Sequence, residues 1–269
     1  MTEAALIPST VTVVRPPIAV APTPLARFIN RIVNADCLDV LPELPSRSID
    51  FVFTDPPYLT RYRDRSGRTV ANDDQCSWVK PAFAQIYRVL KNHRFCVSFY
   101  GWSKVDQFFA AWRAAGFYPV AHLVWAKRYA SRQRYVDYHH EQAYVLAKGF
   151  PEIPSIRLSD VLTWQYTENR LHPTQKPVSS LVPVVCTFSR PGDVVLDPFC
   201  GSGSTLVAAQ SLGRHYIGIE IDAGHAEVAQ AYFVGRVHGL VRPDAAVQAG
   251  VDGGPYVAAQ IDRLTTGDA

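Results

Sequence analysis

The segment Asp193-Val-Val-Leu-Asp-Pro-Phe-Cys-Gly-Ser-Gly-Ser-Thr205 constrains the fold most. A strand-like run, Asp193–Leu196, leads into a carboxylate, Asp197. Two glycines, Gly201 and Gly203, then open the helix-spaced stretch 204–212. Glycines in such a turn let the backbone approach a ligand closely. The helix start favours an anionic group such as a carboxylate. No Lys follows the glycines, which excludes a phosphate-binding P-loop. The next strand-like run, 215–221, carries Glu220, with Asp222 just beyond. An acidic side chain about 20 residues past the glycines can accept both ribose hydroxyls of a nucleoside cofactor. A plain glycine turn between packed elements has the same appearance.

The rest of the middle chain supports an α/β sheet. Strand-like runs at 49–54, 95–100, 120–125, 143–147, 193–196 and 215–221 alternate with helix-like spacing at 77–90, 103–115, 179–189, 204–212 and 226–238. Such alternation predicts a mostly parallel, doubly wound sheet covered on both faces. Trp102, Phe108, Phe109 and Trp112 share helical spacing and read as core.

Composition narrows the class. Of 269 residues, 48% are hydrophobic and 19% charged, which excludes wholesale disorder and a coiled coil. The net charge of +3 does not announce a nucleic-acid binder, so any basic surface must be local. Five scattered cysteines form no CxxC pair and read as reduced thiols. No uncharged apolar run reaches the ~18 residues of a membrane span, and the Pro-interrupted N-terminus does not read as a signal peptide. A soluble cytoplasmic protein is expected. His139, His140 and Glu141 lack a third ligand by spacing, so no metal is expected.

Thr54-Asp-Pro-Pro-Tyr58 follows a strand-like run, where ligand sites of doubly wound sheets lie. Asp55 and the carbonyl of Pro56 can accept both N–H bonds of an exocyclic amino group, and Tyr58 can stack on the ring. A bare Asp-Pro turn with a surface Tyr is an equally good reading of these residues alone. Leu171-His-Pro-Thr-Gln-Lys-Pro177 reads as a structural loop before a helix.

Taken in order, Asp55–Tyr58, His139-His-Glu-Gln-Ala-Tyr-Val-Leu-Ala-Lys-Gly149, His172–Pro177 and Asp197–Thr205 resemble the amino-methylating DNA methyltransferases of the β arrangement, in which the catalytic half precedes the cofactor half. Asn34-Ala-Asp-Cys-Leu38 also matches, with Ala35 where the family usually has Gly. The resemblance spans roughly residues 30–236. It implies a Rossmann-like S-adenosylmethionine-dependent fold with a terminal antiparallel strand. It further implies that Asp197, Phe199, Gly201 and Gly203 hold the methionine half of the donor. Glu220 would take its ribose, Asp36 and Cys37 would lie at the adenine edge, and Thr174 and Lys176 would close over the methionine end. Asp55, Pro56, Pro57 and Tyr58 would form the catalytic loop.

An adenine amino nitrogen is a poor nucleophile, so positioning and fixed dipoles must supply most of the help. The base must also leave the duplex. No Pro-Cys dipeptide occurs, which sets C5-cytosine methylation aside. Two segments suit DNA phosphates: Arg61, Arg63, Arg65 and Arg68 against Asp64, and Lys127, Arg128, Arg132 and Arg134 against Asp137, the latter interleaved with Tyr129, Tyr135 and Tyr138.

The expected organisation is an N-terminal arm (1–27), one methyltransferase domain (28–240) and a tail (241–269). Within the domain lie a catalytic half (28–149), a short recognition segment (150–171) and a cofactor half (172–240). The expected activity is N6-adenine methylation of double-stranded DNA. The alternatives are N4-cytosine methylation, for which the family more often has Ser in place of Asp55, a non-catalytic DNA-binding subunit, and an RNA or protein methylase. A homodimer would lengthen the reach of so short a recognition segment.

Overall fold

Eight strands form one sheet in a computed structural model of the chain, which describes residues 24–60, 70–132, 135–155, 157–164 and 176–237. The strands are β1 (Arg31–Asn34), β2 (Phe51–Thr54), β3 (Arg94–Phe99), β4 (Tyr118–Arg132), β5 (Asp137–Lys148), β6 (Val161–Trp164), β7 (Val194–Asp197) and β8 (His215–Glu220). Their order is β1-β8-β7-β2-β3-β5-β4-β6. All run parallel except β5, which is antiparallel to both of its neighbours. The antiparallel strand is thus inside the sheet, between β3 and β4, and not at an edge. β4 and β5, consecutive in the chain, pair antiparallel.

The helices are α1 (Cys37–Val40), α2 (Val79–Val89), α3 (Val105–Ala115), α4 (Val178–Phe188), α5 (Ser204–Ser211) and α6 (Ala223–Val237). Strand alternation divides the core. Val52, Cys96, Leu196 and Ile217 pack with α1–α3, whereas Phe51, Phe53, Val97 and Val195 pack with α4, α5 and Phe233 of α6. Both faces are covered, as the near-continuous apolar runs of β2 and β7 require. α3 ends at Gly116 as its sequence predicts.

Three elements escape the periodicity. β1 and β6 are four-residue edge strands with mixed exposure, and α1 is a single turn capped by Asp36. β6 lies within the segment expected to serve recognition, and it extends the sheet by pairing with β4. Trp102 is not core: it sits in a short 3-10 turn before α3 and is 59% exposed, while Phe108 and Trp112 are buried. Its helical spacing with them is broken because α3 proper starts three residues later. The proposed arm up to residue 23 and the tail fall outside the described residues. No helix among the described residues is long and apolar enough to cross a membrane.

Candidate active site

β2 and β7 are fully buried neighbours, and both end on side chains that must be satisfied internally. The Thr54 hydroxyl donates to Oδ1 of Asp197 at 3.0 Å, and the Phe199 amide donates to the same oxygen at 3.1 Å. The helices following these strands leave to opposite faces, so a crevice opens at the carboxyl ends, as in other doubly wound sheets. The resulting cleft encloses about 1100 Å³, part of it open to solvent. Residues 55–58, 36–37, Lys176, 197–202 and Glu220 all line it.

On the β2 side, Pro56 and Pro57 stiffen the turn after Asp55. The Tyr58 hydroxyl donates to Oδ1 of Asp55 at 2.8 Å. The Lys176 ammonium lies 2.7 Å from Oδ2 of Asp55 and donates to the Tyr58 oxygen at 3.3 Å. Burial pushes the Asp55 pKa up, while Lys176 and Tyr58 pull against it. Burial works against the Lys176 ammonium, but Asp55 and Glu141 outweigh it and hold its pKa above the ordinary lysine value. Burial and then Asp55 and Glu141 keep the Tyr58 phenol protonated.

Leu59 follows with φ 62°, a left-handed conformation unfavourable for a branched residue. Asp73 holds it there, accepting the Leu59 amide at 2.6 Å and the Thr60 amide at 3.2 Å. Gly101, at the end of β3, lies under the same loop. A Cβ there would meet the Tyr58 carbonyl oxygen at 2.5 Å and the Tyr58 Cβ at 2.9 Å.

On the β7 side, Gly203 adopts φ 81°, the left-handed region that favours glycine, and starts α5. Glu220 accepts the Gly201 amide at 2.8 Å through Oε2 and the Asp222 amide at 2.9 Å through Oε1. Burial raises its pKa against these two amides. Burial pushes Asp197 up to about 7, against its bonds from Phe199, Thr54 and Thr205. Burial, with Asp36 beside it, pushes the Cys37 thiol up to about 12, so Cys37 is no nucleophile here. Asp36 caps α1, accepting the Leu38 amide at 2.8 Å. The Ser204 hydroxyl is buried in the cleft without a partner.

The structure therefore gathers Asp55–Tyr58, Asp36, Cys37, Lys176, Asp197, Phe199, Gly201 and Glu220 in one cleft, whereas Gly203 starts α5 and packs against Ala229 and Phe233 of α6. Lys176, expected at the methionine end of the donor, lines this cleft and is paired with Asp55. One expectation is corrected. Lys127, expected on DNA phosphate, is buried in an ion pair with Glu141 and lies 5.7 Å from the ring centres of Tyr129 and Trp164. A desolvated charge is more stable paired than unpaired, and this pairing occupies it. Glu141 lies in the interior of β5. Arg128 is exposed on β4, and Arg132 closes that strand. Arg61, Arg63, Arg65, Arg68, Arg134 and Thr174 lie outside the described residues.

Sequence reasoning missed Asp73, Trp78, Glu141 and Ser204. Trp78 packs against Phe199 at 5.0 Å and donates to the Asn72 carbonyl at 3.0 Å. A buried Trp at a helix start looks like core from sequence. Asp73 sits in a polar stretch that gives no spacing signal.

Residues 49–231 match the family model described as DNA methylase. The chain is 53% identical over 193 residues to the protein named "Putative methylase YubD" of Escherichia coli (strain K12), an alignment covering 72% of this chain and 85% of that one. The M1.HpyAVI–SAM complex shares the fold at TM-score 0.59 and 23% identity, covering 76% of this chain and 98% of that one. The cytosine-N4-specific PvuII DNA methyltransferase does so at TM-score 0.64 and 16% identity, covering 88% and 93%.

Proposed function

The chain belongs to the N6/N4 DNA methylase family, and from that premise we propose that it transfers the methyl group of S-adenosylmethionine to the N6 amino group of adenine in double-stranded DNA. The observation that carries this reading is the junction of Thr54 with Asp197 at 3.0 Å, which places the Asp-Pro-Pro-Tyr loop and the glycine turn on one cleft.

The residues present fit the donor. The unpartnered Ser204 hydroxyl faces a cleft that a nucleoside and an amino acid would fill. Asp197, Phe199, Gly201 and Gly203 would hold the methionine half, Glu220 the ribose, and Asp36 and Cys37 the adenine edge. Glu220 uses one lone pair on each oxygen for backbone amides, which leaves the others for ribose hydroxyls. When bound, S-adenosylmethionine supplies an electrophilic methyl group on a sulfonium.

Asp55 and the Pro56 carbonyl accept the two N–H bonds of the flipped base's amino group and orient its nitrogen lone pair. Each oxygen of Asp55 retains a lone pair beyond its bond to Tyr58 or Lys176. Tyr58 stacks on the base. Burial makes the Asp55 carboxylate more basic than usual, which suits it to receive the proton the methylated nitrogen sheds. Arg128, Arg132 and Arg134, with Arg61, Arg63, Arg65 and Arg68, contact phosphate. The catalytic and cofactor halves belong to one domain acting in the cytoplasm.

Mass spectrometry of nucleosides from unmethylated plasmid DNA, incubated with the protein and S-adenosylmethionine, tests this. N6-methyladenine is expected. N4-methylcytosine would overturn the base assignment and keep the chemistry. No methylated base would overturn the reading.

A further inference from the structure

Of the five tryptophans, Trp102 alone faces solvent; the other four are 7% exposed or less. It directly follows Gly101, whose backbone abuts Tyr58. Its backbone is therefore one residue from the contact with the loop that holds Asp55 and Tyr58, at the end of the sheet where the carboxyl ends of the strands open the cleft. β3 ends at Phe99, paired with Ala143, so residues 137–142 of β5 run on past the carboxyl end of β3. Tyr138 in this overhang meets Trp102 edge to face, with ring centres 6.0 Å apart and planes at 72°. Tyr135, just before β5, is 83% exposed, and Arg128 is exposed on β4.

Isolated exposed aromatics need no explanation, but a braced indole beside a catalytic loop does. Tyr138 packs against the indole at 72°, and 59% of Trp102 stays exposed. The helical neighbours that would have buried it lie one turn further on, in α3. An exposed aromatic plane at this end of the sheet matches a nucleobase, because every base offers a flat face for stacking. The exposed arginine on β4 suits a phosphate-bearing partner better than an apolar one.

We propose that Trp102, braced by Tyr138, is a stacking platform for a DNA base next to the catalytic loop. This inference rests on the DNA reading above. Trp102 would hold either the neighbour of the flipped base or the base left unpaired, and so stabilise the opened duplex.

Acrylamide quenching of tryptophan emission reads Trp102 selectively, since the other four indoles are buried. The full chain is titrated with unmethylated plasmid DNA in the presence of S-adenosylhomocysteine. DNA is expected to shield the quenchable component, and Trp102→Phe to abolish that component. In steady state, Trp102→Ala is expected to raise the KM for DNA about tenfold and leave the KM for S-adenosylmethionine unchanged. Trp102→Phe should recover most of the loss. Quenching that is equal with and without DNA, in a wild type that methylates that DNA, would overturn the inference and leave the DNA reading standing. A wild type that neither binds nor methylates DNA would overturn both.

Discussion

The Lys176 ammonium and Oδ2 of Asp55 lie 2.7 Å apart, and the Tyr58 hydroxyl holds the other carboxylate oxygen at 2.8 Å. The proposed acceptor of the amino protons is thus fixed on both sides before any substrate arrives. Asp55→Ala is expected to abolish transfer and leave donor affinity nearly unchanged by calorimetry. An equal loss of both would mean that Asp55 is not in the catalytic loop. Lys176→Met removes the charge that opposes burial at Asp55, so the Asp55 pKa rises further. The active form is the carboxylate, and the acidic limb of the kcat profile is therefore expected to move to higher pH.

Gly101 sets the position of Tyr58 by lacking a side chain. A Cβ at 2.5 Å from a backbone oxygen must displace the loop. Gly101→Ala is expected to lower kcat about 100-fold, the usual order for a misplacement near 1 Å, with circular dichroism unchanged. An unaltered kcat would show that the loop has room to move.

Glu220 links the glycine turn to the proposed ribose site through its bond from Gly201. Glu220→Ala is expected to weaken S-adenosylmethionine binding by at least about tenfold, the order expected for losing hydrogen bonds to a charged group. Calorimetry reads this directly, and undiminished affinity would move the ribose elsewhere.

Asp197 carries a folded-state pKa of about 7, above its ordinary value of 3.8. A raised pKa means that the folded state binds the proton more tightly than the unfolded chain. Its contribution to stability is full below pH 4 and is lost as pH rises through about 7. Asp197→Asn removes this dependence. The variant's Tm relative to wild type is therefore expected to rise between pH 4 and pH 7 by several degrees. A constant difference across that range would argue that Asp197 titrates normally.

Lys127 and Arg128 are adjacent, yet their side chains have separate tasks. Lys127→Ala strands Glu141 without its partner and is expected to lower Tm. Arg128→Ala is expected to leave Tm unchanged and reduce the salt slope of DNA binding by about 1, as loss of one phosphate contact does. Reversed outcomes would return Lys127 to the DNA surface.

The sheet and most of its helices were legible because buried parallel strands are short apolar runs and their connecting helices carry periodic apolar faces. β1 and β6 were not, since a four-residue edge strand buries too little to leave a pattern. Trp102 was misread for a related reason. Helical spacing identifies core only inside a helix, and α3 begins after it.

The order of motifs along the chain determined the family resemblance and the residues expected on either side of the site. Those are properties of residue type and spacing, and they survive without coordinates. The tertiary structure alone decided that Lys176 turns to Asp55, that Lys127 is spent on Glu141, that Asp73 braces Leu59 and that Trp102 stands open beside Tyr58. The first three pairings join groups from separate segments of the chain, two between side chains and one between the Asp73 carboxylate and the Leu59 amide. Their partners are chosen by desolvation and by which strand ends the sheet brings together, and no local pattern records either.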